Sequence, residues 1–469
     1  MHYVAWLIAQ GAVPYRDVFD MNLPGVYLIH LAVLAVGGAG DPAWRLFDLG
    51  WLATTAALIF AYARGLGDRW SAAAAALLFC VYHLAGGAWR AGQRDFLLCG
   101  FLLAGSSGVA RSRERGGDPV PLLWGGLALG AGMTVKPHAG LFWLACAAAA
   151  ALGNRRAGRS PLRGAAIVLA AGLITPALVF GWLAWRGGWH AFVSILTGYV
   201  LPLYGQVGRD LIGPALGWHR YGWQLWALLG LLALLGIATR MPGPRGMRRG
   251  LALLGVAYGA LHFVIQAKGW EYHLYPLALF VAVLGSAALR PPAAVAAARD
   301  GGGGLRRLAD LTRPAAALVL AGSLLVLGAK GVEALDDRLI AEKSRLVAAL
   351  TRDLRLLAPP GATVQTMDVT EGAVHALLRL GIRQPTRFMY DFHFFHHERD
   401  PRIQALRAEF AAALEAGRPA AIVVLRDTWR RSGYQRLEAF PAVARLLARD
   451  YVPAVEGDGY RIYAKRAGS

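Results

Sequence analysis

GAVPYRDVFDMNLPG, residues 11–25, sets Arg16, Asp17 and Asp20 beside an Asn-Leu-Pro-Gly turn. The apolar run VYLIHLAVLAVGG, residues 26–38, follows at once. Charge placed directly against membrane-like sequence is expensive and is usually kept for a task. The stretch points to chemistry at a membrane surface.

The rest of the chain supports that reading. Of its 469 residues 56% are hydrophobic and only 17% charged, and the mean hydropathy is +0.41. Repeated apolar blocks of this kind describe a polytopic membrane protein. Cys80, Cys99 and Cys146 all lie inside apolar blocks, so neither a disulfide framework nor a cysteine zinc site is indicated. The net charge of +20 is unevenly spread. Residues 1–330 carry 28 Lys and Arg against 12 Asp and Glu, and residues 331–469 carry 21 against 17. The excess therefore sits in short loops between apolar blocks, which excludes a nucleic-acid stripe and fits the positive-inside pattern.

The apolar blocks predict ten spans, over residues 46–64, 70–89, 95–110, 119–135, 138–153, 163–185, 221–239, 250–266, 272–290 and 314–330. The loops between them alternate in kind. ARGLGDR, RSRERGGD, NRRAGRSPLR, TRMPGPRGMRR and the segment 290–313 hold 18 basic residues against 5 acidic ones. The intervening loops are poorer in arginine and richer in Trp, Tyr, His and Gly. This alternation predicts the first set inside and the second outside.

That topology starts residues 1–45 on the outer side. Residues 24–40 are then expected as a helix in the outer interface, ended by Gly37, Gly38 and Gly40, rather than as an eleventh span. Residues 1–10 read as a short helix of the same layer. The sequence shows no span ahead of this outer start, which leads to the expectation that Met1 is an internal methionine and a first span precedes it. An error of topology at this end is the alternative.

Residues 331–469 change character and predict an α/β domain, outside like the start. Residues 336–357 and 400–417 read as helices, the second with Asp400 as N-cap, Pro401 in the first position and Gly417 at its end. Residues 362–369, 420–427 and 460–466 read as strands. The expected organisation is thus 1–45 outer loop and juxtamembrane helices, 46–330 transmembrane bundle and 331–469 extracytoplasmic α/β domain.

The outer loops collect the unusual polar residues. AGQRD supplies Arg94 and Asp95, and TVKPHAG supplies Lys136 and His138. QAKGWEYHLYP supplies Lys268, Glu271, Tyr272 and His273, and the long loop before residue 221 supplies Arg220. Arg and Lys at headgroup level suit a phosphate, and carboxylates suit a base for an attacking hydroxyl. Plain structural readings stand beside these. Asp95 could pair with Arg94 or Arg90, Asp48 with Arg45, and Lys268 with Glu271, while Lys136 and His138 could mark a membrane boundary. His393, His396 and His397 could hold a metal, but no acidic or Cys frame accompanies them, so an aromatic-packed loop is the expected reading. A divalent metal is not indicated.

Taken together, these residues resemble the GT-C superfamily of polytopic glycosyltransferases. The resemblance is to bacterial branches similar to aminoarabinose transferase, protein O-mannosyltransferase and rhizobial core galacturonosyltransferases. GAVPYRDVFDMNLPGVYLIH followed by DPAWRLFDLG is similar to that family's first outer loop and entry to the next span. AGQRDFLL places Asp95 at the family's Asp on a later span, and VKPHAG and YHLYP are similar to later outer segments. The likeness runs over about residues 1–290. The family's acidic pair after the first span would precede residue 1.

The resemblance implies a membrane enzyme with a GT-C-like bundle. It would move a sugar, with inversion, from a polyprenyl-phosphate donor to an envelope glycan, lipid or protein, at a bacterial inner membrane and without a nucleotide or other cofactor. Asp20, or Asp17 beside it, would be the carboxylate near the acceptor, and Asp95 would position the site. Arg94, Lys136, Lys268 and His273 would hold the leaving phosphate, with Arg16, His138, Arg220, Glu271 and Tyr272 lining the substrate site. A transporter or flippase of a lipid-linked glycan and a non-catalytic homologue are the alternatives. The first should show internal repeats and polar residues at mid-membrane depth, and neither is evident.

Overall fold

The computed structural model describes residues 1–208, 222–239, 244–290, 303–336, 338–369, 371–427 and 433–467. The chain is mostly helical and divides into two compact units. One contains Arg45–Val179 and Gly208–Asp337, and the other contains Met1–Trp44, Phe180–Val207 and Arg338–Ser469. The second unit therefore gathers the start of the chain and residues 180–207 with the C-terminal region, which the sequence division sets apart.

The first unit is helical. Its elements are α3 (Asp41–Ala63), α4 (Arg69–Leu84), α5 (Arg94–Glu114), α6 (Pro119–Val135), α7 (Ala139–Arg156) and α8 (Pro161–Trp185), where α3 begins and α8 ends in the other unit. They continue with α10 (Gly222–Ala238), α11 (Pro244–Gln266), α12 (Tyr275–Ala288) and α13 (Gly303–Leu335). Each expected span overlaps one of these ten helices; α11 and α13 begin well before the expected starts, whereas α4 ends at Leu84, short of residue 89, and α12 covers only Tyr275–Ala288 of 272–290. By length and composition, four stretches among the described residues are long and apolar enough to cross a membrane: Asp41–Ala63, Pro161–Trp185, Gly246–Gln266 and one within Leu311–Leu357.

Local sequence explains the helix ends. Asp68 accepts the amide of Ser71 to cap α4, and Asp118 accepts that of Val120 to cap α6, whose first residue is Pro119. Between helices, small residues permit close packing. A Cβ at Gly108 of α5 would lie 2.3 Å from the carbonyl oxygen of Pro121 and 2.8 Å from the Cα of Gly125 on α6. Lipid supplies no hydrophobic drive between helices, so such close backbone approach is a main source of their attraction. The α12 helix is buried along its whole length, including Phe280 and Leu284.

The second unit is built on a four-stranded sheet in the order β1-β2-β4-β3. The strands are β1 (Val364–Met367), β2 (Ala421–Leu425), β3 (Tyr451–Gly457) and β4 (Tyr460–Lys465). β1 runs parallel to β2, and the other two pairings are antiparallel. β2 is buried on both faces, as its unbroken apolar run requires. The helices of this unit are α1 (His2–Ala9), α2 (Pro24–Gly37), α9 (Trp189–Ile195), α14 (Arg338–Leu357), α15 (Ala373–Leu380), α16 (Pro401–Gly417) and α17 (Pro441–Asp450). Asp400 caps α16 through the amide of Arg402, and Arg418 follows in the left-handed region.

The first twenty residues are tied to this sheet domain. Phe19 donates its amide to the carbonyl of Arg387 at 2.7 Å, and Tyr3 donates its hydroxyl to the carbonyl of Ile382 at 2.9 Å. Phe19, Phe388, Tyr199 and His393 then pack ring against ring. Beneath them Arg436 meets Asp391 at 3.0 Å, with both side chains buried.

Two outcomes follow. Gly108→Val is expected to push α5 from α6 and lower the melting temperature of the purified chain by several degrees, whereas an unchanged value would show that the contact is slack. Burial pushes the Asp391 carboxyl up to about 6, against the pull of Arg436. The folded chain then binds that proton more tightly than the unfolded chain does. The contribution is full below the ordinary value of 3.8 and is lost as pH rises through about 6. Denaturant melts of wild type and Asp391→Asn between pH 4 and 7 should therefore differ in slope, by about 3 kcal/mol across the window. Parallel slopes would contradict the shift.

Candidate functional site

Five helix ends in the helical unit bear the residues of interest: the starts of α5, α7 and α12 and the ends of α6 and α11. Asp95 stands in the first turn of α5 and is fully buried. Its Oδ2 is 3.1 Å from Lys136 Nζ, and its Oδ1 is 2.7 Å from His262 Nε2 and accepts from Gln266 Nε2 at 3.0 Å. Lys136 also donates to Gln266 Oε1 at 2.5 Å. Every member is placed by simple local rules. Pro137 forces Lys136 into an extended conformation and ends α6 there. Tyr258, His262 and Gln266 recur every four residues and share one face of α11. Tyr258 hydroxyl oxygen lies 3.2 Å from His262 Nδ1, so the imidazole can donate to Asp95 while accepting from the tyrosine.

Further cations and rings surround this cluster. The His138 and His273 rings lie 5.6 Å and 6.4 Å from that of His262. Tyr272 packs edge-on to His273, and Lys268 is buried in the same loop. Arg94, next to Asp95, is half-buried and its side chain has no hydrogen-bond or ion-pair partner among the described residues. Arg90 is buried against the faces of Tyr82 and Tyr275 and pairs with Glu271 at 2.9 Å.

Three structural readings of the sequence are corrected here. Asp95 pairs with Lys136 and His262, not with Arg94 or Arg90. Glu271 reaches Arg90 instead of Lys268, because the short turn Glu271–Leu274 faces the turn Gly87–Arg90. Asp48 meets His83 Nε2 at 3.1 Å and accepts the Gly92 amide at 2.7 Å, not Arg45. Sequence reasoning also missed His262, Tyr258 and His83. The available signal was a histidine four residues from a glutamine inside the apolar run GVAYGALHFVIQ, where polar side chains are rare.

Arg16, Asp17 and Asp20 lie in the other unit. Arg16 grips Asp17 with two contacts, at 2.7 and 2.9 Å, and the Val13 amide donates to the same carboxylate. The Arg16 guanidinium holds the Asp17 carboxyl below its usual range. Asp20 is buried and is held differently. Its Oδ1 accepts from the Met21 amide at 2.6 Å and from Asn22 Nδ2 at 2.9 Å. Oδ2 has one longer contact, to Asn22 Nδ2 at 3.1 Å. Tyr15, at φ 68°, donates its hydroxyl to the Asn22 carbonyl and closes the loop. A cavity of about 350 Å³ opens beside Asp17, Arg383 and Gln384.

Tyr199 oxygen lies 2.7 Å from both His393 Nδ1 and His396 Nε2, within the aromatic packing of that loop. No group of three His, Cys, Asp or Glu is placed to hold a metal among the described residues. Arg220 lies outside the described residues.

Known proteins match this chain in two ways. Residues 23–185 match the family described as dolichyl-phosphate-mannose-protein mannosyltransferase. The structure is similar to the crystal structure of ArnT from Cupriavidus metallidurans bound to undecaprenyl phosphate. That match has a TM-score of 0.55 and 15% identity, over 100% of this chain and 93% of that one. The same protein in the apo state matches with a TM-score of 0.52 and 14% identity, over 99% and 91%. Comparison with curated proteins gives no significant match. The chain thus shares the fold of that ArnT structure.

Removing one partner of the buried pair is the sharpest probe of the cluster. Lys136→Met leaves the Asp95 charge uncompensated and should cost about 3–5 kcal/mol. Adding Asp95→Asn should recover a large part of that loss. Equal melting temperatures for the single and double variants would show that the two side chains do not interact.

Proposed function

We propose that this chain is an integral membrane glycosyltransferase that moves a sugar from a polyprenyl phosphate to an acceptor hydroxyl on an envelope glycan, lipid or protein. The observation that carries the proposal is the Asp95–Lys136–His262–Gln266 cluster, flanked by Arg94, Lys268 and His273. It concentrates cations at the ends of five helices, the depth at which a lipid phosphate sits. A protein of the same fold binds undecaprenyl phosphate, and that headgroup has the charge and size such a cation set suits.

In the proposed step the acceptor oxygen bonds to the anomeric carbon as the bond from that carbon to the phosphate oxygen breaks. The configuration inverts, the acceptor proton passes to a carboxylate, and the lipid phosphate leaves. Charge grows on the phosphate during this step, so donors already fixed toward it lower the barrier. Arg94 is the first of them, since no carboxylate of the described residues claims it. Asp20 is assigned to the acceptor proton. Asp17 is the weaker choice because Arg16 lowers its basicity. Asp95 is a positioning residue, since its Oδ1 is taken by His262 and Gln266 and its Oδ2 lies against Lys136. No nucleotide or other cofactor is assigned.

The same proposal puts the protein in a bacterial inner membrane, with ten spans and the sheet domain outside. The arginine-rich loops support that orientation. The test is transfer from a radiolabelled polyprenyl-phosphate sugar by the full chain in proteoliposomes. Asp20→Asn should lower turnover by about 10²-fold or more at an unchanged melting temperature, and Asp17→Asn by far less. Wild-type turnover in Asp20→Asn would overturn the assignment. Transmembrane movement of the intact lipid-linked sugar without its cleavage would overturn the reaction.

A further inference from the structure

At the arginine-rich ends of the helical unit, a second cavity of about 250 Å³ lies between the loop joining α5 to α6 and the loop joining α7 to α8. Its walls are of two kinds. Arg159, Arg163 and Asn154 form the polar side, and Pro119, Leu122 and Ile167 form the apolar side. The side chains of Arg159 and Arg163 have no hydrogen-bond or ion-pair partner among the described residues. The nearby acids are committed elsewhere. Glu114 accepts from Nε and Nη2 of Arg248, and Asp118 caps α6 and faces Arg115 at 3.7 Å.

The loop is built to hold this shape. Asn154 donates its side-chain amide to the Ser160 carbonyl at 3.2 Å, and the Arg159 amide donates to the Asn154 carbonyl at 2.9 Å. Gly117, at φ 90°, leaves room for the Arg159 guanidinium, since a Cβ there would lie 2.6 Å from its Nη1. Arg163 lies in the first turn of α8, one of the helices long and apolar enough to span a membrane. Leu162 beside it is 78% exposed, and Val120 and Leu123 near the opposite wall are exposed as well. Apolar side chains left bare at the start of a span face acyl chains.

We propose that this cavity binds an anionic phospholipid, with the headgroup phosphate between Arg159 and Arg163 and the glycerol and upper chains on Leu122 and Ile167. Paired guanidinium groups match phosphate oxygens in geometry and charge. Basic pockets between membrane helices bind anionic headgroups by the same physics. The apolar wall selects a lipid over a free phosphate. The site lies apart from the Asp95 cluster, which occupies the opposite ends of α5, α6 and α7, and it does not depend on the transfer reaction proposed above.

The experiment is a melting curve of the full chain in neutral detergent with phosphatidylglycerol, phosphatidylcholine or inorganic phosphate added. Phosphatidylglycerol should raise the melting temperature by about 2–4 °C over phosphatidylcholine, in line with selective binding to the folded state. The gain should fall to less than half in Arg159→Gln/Arg163→Gln and survive in Arg159→Lys/Arg163→Lys. It should also survive in Arg155→Gln/Arg156→Gln, which removes the same charge from the end of α7 without touching the cavity. If the first double variant does not fold, Arg163→Gln alone is read in the same way. An undiminished gain in Arg159→Gln/Arg163→Gln, an equal loss in Arg155→Gln/Arg156→Gln, or an equal gain from inorganic phosphate would overturn the proposal.

Discussion

The buried pair of Asp95 and Lys136 is the constraint on which the helical unit turns. Neither charge has water to fall back on. Two such ions are tolerated only when each is close to the other and the remaining lone pairs and protons are met. Here His262 and Gln266 engage Asp95 Oδ1, Gln266 also accepts from Lys136, and both come from α11. Two consecutive helices, α5 and α6, and the distant α11 are therefore fixed at one end by one small network. The pair adds little to net stability compared with a packed apolar core. What it adds is position, because an ion pair this deep is satisfied in few arrangements of the helices that carry it.

That fixed end orders the residues around it. Arg94 follows directly from the placement of Asp95, one residue along the first turn of α5. His273 and Tyr272 follow from the turn that leads into α12, which Arg90 and Glu271 anchor. The transfer chemistry proposed for this fold asks for cations held still before the phosphate charge develops, and a rigid network behind them supplies that. The loop of Arg16, Asp17 and Asp20 obeys a different logic. It is braced by Tyr15, Asn22 and the sheet domain through Phe19 and Arg387.

How much could be read from the sequence depended on the range of the interaction. Helices with a local signature were legible: α2 with Pro24 and Gly38, and α16 with Asp400 and Pro401. Asp95 and Lys136 stood out because charge inside apolar sequence is conspicuous. Their pairing did not, since it joins residues 41 apart and closes only when α5 and α6 pack through Gly108 and Gly125. Local ion pairs were the natural expectation for Asp48 and Glu271, and in both cases a distant buried partner, His83 or Arg90, replaced the neighbour in sequence. In the sheet domain β3 was missed, as its outward residues and Pro453 break the apolar alternation expected of a strand. That residues 1–44 and 180–207 cluster with the C-terminal region is purely long-range information.

The central claim is that the cations beside Asp95 form a site for a lipid phosphate. Equilibrium binding of undecaprenyl phosphate to the purified full chain, compared with Arg94→Gln, tests it most directly. Saturable binding that weakens about tenfold in the variant, a loss typical of one charge-assisted contact, is the predicted result. No saturable binding to the wild-type chain, or equal affinity in Arg94→Gln, would contradict the account.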